Sequence, residues 1–493
     1  MPSLIQNKRR SLTTIVAAGS ETAVGDHATT PIEVAIASPG AVLAARLLRA
    51  TATIGCLALI VLPILSDDTV REFPTVAHHL GYVLFENWWK FFGPTADQTA
   101  GWLRFNTIDV LLALAALATI GWMWAERRGP TVTAAMWVVM AFGGVVLLMF
   151  AVGMTTGGLI KPALWQVRPY LHITAITILL TQVIRKDADL RVALGATITA
   201  IALKAALTIW VFFALAHAHF SGWRELVGHE DSIFFGAAFF FPLTLALYDR
   251  RLHTGVLALL AGALFLAALV LDLRRAGYAA FAMGALLLPI VLVNKRRLAF
   301  GLLAAAAAVA GAYFILFWGN SGPLGIPVEK VRSIFAASDA GDYTSNIYRD
   351  GENLNLWTMV REHPLGTGFG KPFDKVFPVA DLSSTLPYWD YDPHNAVFGL
   401  WMALGTPAFV VFIWLFAVPI ASASFSIKRS VGAFARAASI FCVLGLSAAL
   451  LASNLDQFVW AQRGALFVGA LLGFVSAISA LQRRAAADEL SAQ

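Results

Sequence analysis

The sequence predicts an all-α, polytopic transmembrane bundle of about twelve spans, with one large loop between the ninth and the tenth. Three observations lead there. Hydrophobic residues fill 58% of the 493 positions and charged residues only 13%, against roughly a quarter charged in soluble globular chains. The mean hydropathy is +0.70, and the apolar residues gather in runs of roughly 20, the length that crosses about 30 Å of hydrocarbon as a helix. Lysines and arginines cluster between those runs in a pattern that alternates along the chain, as the positive-inside rule requires.

The candidate spans are residues 42–65, 107–125, 131–153, 163–184, 191–216, 232–248, 254–272, 276–293, 299–318, 395–420, 432–452 and 460–481. Basic loops ERRG (126–129), IRKDADLR (184–191), DRRLH (249–253), NKRR (294–297), SIKRS (426–430) and QRR (482–484) all fall on the side of the N-terminal KRR. That side is assigned to the cytoplasm. Both tails, 1–41 and 482–493, are then cytoplasmic, the membrane domain is 42–481, and the longer segments 66–106 and 319–394 lie on the opposite face. The second of these has six Lys or Arg against ten Asp or Glu, the acidic balance of a translocated loop. The net charge of +6 comes mostly from the basic loops and carries no argument for nucleic acid. Cys56 and Cys442 both sit inside apolar runs and read as packing residues.

One short loop breaks the charge rule. DLRRAGY (272–278) carries Arg274 and Arg275 on the face opposite the basic loops, and charge held at a membrane edge against topology points to function. In the large loop, Tyr348–Glu362 has helical spacing with Arg349, Leu356 and Val360 on one stripe and Trp357 beside it, and the following HPLGTGFG (363–370) ends that helix. The glycines do not follow the GxxxxGK[ST] spacing of a phosphate loop, so they read as a chain reversal in which His363 takes part.

The loop closes on PYWDYDPHN (387–395). Pro393 suits the start of a helix, which holds His394 in the first turn of the tenth span with Asp392 and Asn395 beside it. A histidine at an aqueous boundary is chemically suited to accept a proton near neutral pH. HAHFSGWRELVGHED (217–231) offers the rival constellation, with His217, His219, His229, Glu225, Glu230 and Asp231 as metal-type ligands. The HxH spacing does not bring both rings to one helix face, and no metal site is assigned.

Together these residues carry a resemblance. An arginine pair after the seventh span (RRAGYAAF), an Arg-bearing helix with a Trp (NIYRDGENLNLW), then HPLGTGFG and a PHN opening a span with a glycine ten residues on, resemble the O-antigen ligase and polymerase family of bacterial envelope glycosyltransferases over roughly residues 230–470. The resemblance implies transfer of a glycan from undecaprenyl diphosphate to an acceptor, lipid A-core or a growing glycan, at the periplasmic face of the inner membrane, with no cofactor. It implies that His394 is the essential loop histidine, Arg349 the loop arginine, and Arg274 or Arg275 the arginine after the central spans. Two arginines stand where the family has one.

The residue chemistry agrees with that reaction. Guanidinium forks match phosphate oxygens and stabilise the charge that grows on a departing diphosphate. Lys161 and Arg168, flanking the start of the fourth span, read first as interface anchors and second as candidates for the diphosphate, and Trp357, Trp389 and Tyr391 read either as interface or loop-packing residues or as platforms for sugars. Ligase and polymerase stay open at this level, with the ligase favoured. A twelve-span secondary transporter is the competing class, but it calls for charges near the bilayer midplane and symmetric halves.

Overall fold

The computed structural model describes residues 39–67, 75–88, 105–217, 226–249, 251–320, 322, 324–335, 340–381, 388–430 and 432–492. Nearly all of the expected N-terminal tail therefore lies outside the described residues. Among them every regular element is a helix: α1 Pro39–Leu65, α2 Val76–Phe85, α3 Thr107–Ala125, α4 Ala134–Thr155, α5 Ile160–Val183, α6 Asp187–Trp210 continued by a π-helical turn Val211–Leu215, α7 Asp231–Tyr248, α8 Leu252–Asp272, α9 Arg275–Val291, α10 Arg296–Phe317, α11 Ile326–Phe335, α12 Ala340–Glu362, α13 Ala396–Arg429, α14 Ala433–Leu455 and α15 Gln462–Ser491. Caps follow the sequence: Asn106 and Asp109 form a capping box on α3, and Thr133 accepts from Met136 N–H on α4.

All twelve expected spans are helices, and ten of the helices in the described residues are long and apolar enough to cross a membrane. The chain is thus a multi-pass helical membrane protein. The other two differ for physical reasons. Helix α9 has 17 residues, and α5 is diluted by Lys161, Gln166, Arg168, His172 and Gln182. Most of α5 is nonetheless buried against its neighbours, and a helix that avoids lipid tolerates polar side chains when they find partners inside. Gln182 accepts from Thr131 N–H at 2.8 Å and donates to its carbonyl at 2.9 Å, while His172 and Arg168 face Asp109 at 3.0 and 3.7 Å.

Helix α15 is the hub, with 89% of its apolar window buried. Gly469 and Gly473 let it approach Ile176 and Leu180 of α5 closely, and Thr177 of α5 donates to the Gly469 carbonyl at 3.0 Å. This is the small-residue packing by which membrane helices associate, where van der Waals contact replaces a hydrophobic drive.

Candidate functional site

The chain between α12 and α13 is anchored before it is functional. The HPLGTGFG segment is a plug of backbone: Thr367 and Gly368 donate to the carbonyls of Met402 and Ala403 at 3.0 Å each, Phe369 donates to Met149 at 3.3 Å, and Leu159 donates to Gly370 at 2.8 Å. Such contact needs residues without side chains. Gly405, at φ 73° and ψ 164°, breaks α13 at the point where the plug passes, and a Cβ there would collide with Leu365 and Gly366. The motif is a chain reversal that locks α12 onto α13. The buried faces of the two helices meet at Leu356, Met359, Val360 and Met402, with Phe373 from the plug side.

Helix α12 begins at Ala340, eight residues before the sequence spacing suggests, and one of its faces meets His394. Glu352, 1% exposed, receives the backbone N–H of His394 at 2.8 Å on one oxygen and faces the ring Nδ1 at 3.2 Å with the other. A carboxylate at that nitrogen makes Nδ1 the proton-bearing one and leaves Nε2 with its lone pair. The imidazole, 24% exposed, is held at its edge by the Tyr348 ring, with centroids 5.2 Å apart. Burial, then the Glu352 charge, keeps the Tyr348 phenol protonated well above its ordinary range.

The loop before His394 is fixed from two more helices. Gln457 donates to the carbonyls of Asp392 at 2.9 Å and Pro393 at 3.3 Å. Trp165 donates to the Asp392 carboxylate at 3.3 Å, and Gln166 bridges the Tyr391 carbonyl to the Gly370 N–H. Asn395 caps α13 by accepting from Phe398 N–H at 3.1 Å. Burial pushes Asp392 up to about 7, although the Trp165 N–H and the His394 charge pull it down. A raised folded-state value means that Asp392 favours folding fully below the ordinary aspartate value of about 4, and that this contribution is lost as pH rises through the folded value. Asp392→Asn is therefore expected to flatten the decline in thermal midpoint between those two pH values, measured in detergent against the wild-type chain.

Arg349 sits three residues before Glu352 on α12. It donates to the Leu455 carbonyl at 3.1 Å and pairs with Asp456 at 3.7 Å in the turn between α14 and α15. Burial works to raise Asp456, but Arg349, then His229 and Arg274, hold it below its ordinary range. Arg274 meets His229 Nε2 at 3.2 Å, and burial pushes its guanidinium down to about 10, opposed by Asp456. Arg274, Arg349 and His229 thus share the field of one carboxylate, on the same turn as the Gln457 that holds the His394 loop.

The adjacent Arg275 goes elsewhere, donating to the Ser333 carbonyl of α11 at 3.3 Å and to Asn346 of α12 at 3.2 Å. The structure therefore separates the two arginines that sequence left equivalent. Arg168 is turned inward to Asp109, and Lys161 is exposed at the start of α5. Trp357, 41% exposed, lines a shallow groove of about 520 Å³ with Asp350, Asn353, Leu354 and Phe398 on the far side of α12 from Glu352. Trp389 is buried under Lys375, whose ammonium lies 3.3 Å from the ring centre, which marks it as loop packing.

Glu230 and Asp231 of the rival constellation are committed to Arg463, which is fully buried and also donates to the Pro63 carbonyl at 2.9 Å. Lys204, equally buried, pairs with Asp67 at 3.2 Å and with Asp231 at 3.3 Å. This network ties the ends of α1 and α6 to the starts of α7 and α15, next to His229 and Asp456. His219 and Glu225 lie outside the described residues, and among the described residues no three His, Cys, Asp or Glu form a metal-holding group.

Sequence reading missed Glu352, Asp456, Gln457 and Arg463. Glu352 was legible as the residue four after Tyr348 and three after Arg349 on one helical face. Arg463 and Lys204 were legible as ionisable residues at or inside apolar spans.

Residues 257–413 match the family model described as O-Antigen ligase. The matched segment runs from α8 into α13 and contains Arg274, Arg349, Glu352 and His394, while His229 and Asp456 fall outside it. No curated protein matches the chain.

Proposed function

We propose that this O-antigen ligase-like chain is a membrane glycosyltransferase that moves a glycan from undecaprenyl diphosphate to an acceptor hydroxyl at the periplasmic face of the bacterial inner membrane, and that it acts as a ligase toward lipid A-core. The observation that carries the reading is the pairing of His394 with the buried Glu352 on the same helix that presents Arg349. The charge pattern of the loops supports a site on the periplasmic face with both termini in the cytoplasm, and in this reading α5 and α9 complete twelve spans.

In this reading the acceptor hydroxyl attacks the anomeric carbon as its proton passes to Nε2 of His394. The bond from the anomeric carbon to the diphosphate oxygen breaks, and the electron pair leaves with the diphosphate. Arg274 and Arg349 face that leaving group, where fixed guanidiniums stabilise developing charge better than mobile water does. Asp456 keeps the two cations together in the absence of substrate. Glu352 holds the reacting nitrogen toward the acceptor and stabilises the imidazolium that forms. Lys161 is left for the outer rim of the donor site and Trp357 for a sugar of either substrate; Arg168, engaged with Asp109, is a structural residue.

Surface glycans of a deletion strain test the function. Bare lipid A-core with long polymer retained on the lipid carrier is the result expected of a ligase. Core capped by a single repeat unit would identify an O-antigen polymerase instead, and normal lipopolysaccharide with lost exopolysaccharide an exopolysaccharide polymerase.

A further inference from the structure

At the end of the bundle opposite His394, four arginines from four separate segments converge. Arg49 comes from α1, Arg128 from the turn after α3, Arg185 from the turn after α5, and Arg484 from α15, 21 residues beyond Arg463 and so about 30 Å away along that helix. The guanidinium carbons of Arg128, Arg49 and Arg185 lie 4.2, 5.3 and 6.0 Å from the ring centre of the buried Trp122. Arg185 and Arg484 both donate to one hydroxyl oxygen, that of Thr131, at 2.7 and 3.1 Å.

Among the described residues the charges do not balance. Asp189 pairs with Arg49 at 3.2 Å and also receives the backbone N–H groups of Arg185 and Lys186, and Glu126 lies 3.6 Å from Arg128 but is 42% exposed. Among the described residues, buried N–H groups find no acceptor on Arg128 (Nε) and on Arg185 (Nε and Nη2). Burial, then the neighbouring Arg128 and Arg484, push Arg185 down to about 10. Gathering like charges with unsatisfied donors costs free energy unless an anion joins them.

We propose that Arg49, Arg128, Arg185 and Arg484 form a site for a phosphate-type oxyanion, supplied by the headgroup of an anionic phospholipid in the cytoplasmic leaflet. Several features fit that ligand. Guanidinium forks match the oxygens of a phosphodiester, basic pockets between helices at the cytoplasmic boundary are where such headgroups bind, and Trp122 supplies a floor that holds the cations in place by their attraction to its ring. The lipid source rests on the proposed orientation of the chain; the anion site rests on the geometry alone.

The test uses the full chain, delipidated in a neutral detergent, with phosphatidylglycerol, phosphatidylcholine or inorganic phosphate added. Phosphatidylglycerol is expected to raise the thermal midpoint and to stay with the protein through size-exclusion chromatography, while phosphatidylcholine and phosphate do neither. Phosphate acting as strongly as phosphatidylglycerol would support the anion site but overturn the lipid source. Arg128→Gln combined with Arg185→Gln is expected to weaken phosphatidylglycerol binding by about tenfold or more per guanidinium removed. Arg484→Gln alone, in the last part of α15, gives a smaller loss in a chain that still folds, and Lys428→Gln, an exposed charge at the same end, gives none. Equal retention of phosphatidylglycerol by the wild-type chain and Arg484→Gln, or equal effects of phosphatidylglycerol and phosphatidylcholine, would overturn the proposal.

Discussion

His394→Ala is expected to leave a folded, membrane-inserted protein whose glycan transfer falls by about 10²- to 10⁴-fold, the range that loss of a general base produces. The side chain is partly exposed and its ring meets Tyr348 and Glu352 of α12, so its removal opens little space in the core. The backbone N–H of residue 394 still reaches Glu352, which keeps α12 docked. Glu352→Gln separates orientation from proton uptake. An amide of the same shape still accepts from the backbone N–H but no longer stabilises an imidazolium, so this variant should lose rate at saturating substrate with little change in apparent donor affinity. Transfer assayed on purified protein, with circular dichroism as the folding control, decides both.

Arg463→Ala is expected to have the largest effect on stability. Its guanidinium is fully buried and holds Glu230, Asp231 and the Pro63 carbonyl, while Asp231 also answers Lys204. Removing the cation leaves three buried carboxylates, Asp67, Glu230 and Asp231, with Lys204 as their remaining buried cation among the described residues, and breaking a buried pair in this way costs about 3–5 kcal/mol. A total stability of about 5–15 kcal/mol leaves little margin for that loss. The variant should be scarce after detergent extraction, with a sharply lowered thermal midpoint in whatever is recovered. Arg463→Lys restores the charge but cannot span three acceptors and should recover only part of the loss. A normal midpoint for Arg463→Ala would show that the network is dispensable.

Much of this was legible in the sequence. Apolar runs located the helices long and apolar enough to cross a membrane, ten among the described residues, because the hydrocarbon core imposes their length. The plug was legible as a reversal because its glycines lack phosphate-loop spacing. Helix α5 lies where its apolar run predicts, yet Arg168, read as an interface anchor or diphosphate ligand, faces Asp109 inside the bundle, and Gln166 and His172, to which sequence gave no role, also make interior contacts. That distinction depends on which neighbours a helix has, which period and composition do not encode. The same limit hid Asp456 and Gln457, whose partners lie 64 to 107 residues away in the chain, and it left Arg274 and Arg275 equivalent until their surroundings were seen.

In the proposed reaction, transfer occurs between His394, held by Glu352, and the guanidiniums of Arg274 and Arg349. The most direct measurement is single-turnover transfer from an undecaprenyl-diphosphate-linked glycan by purified wild-type, His394→Ala, Arg274→Gln and Arg275→Gln proteins in lipid nanodiscs. His394→Ala and Arg274→Gln are expected to lose transfer while Arg275→Gln keeps most of it. Near wild-type transfer by His394→Ala would contradict the proposed reaction.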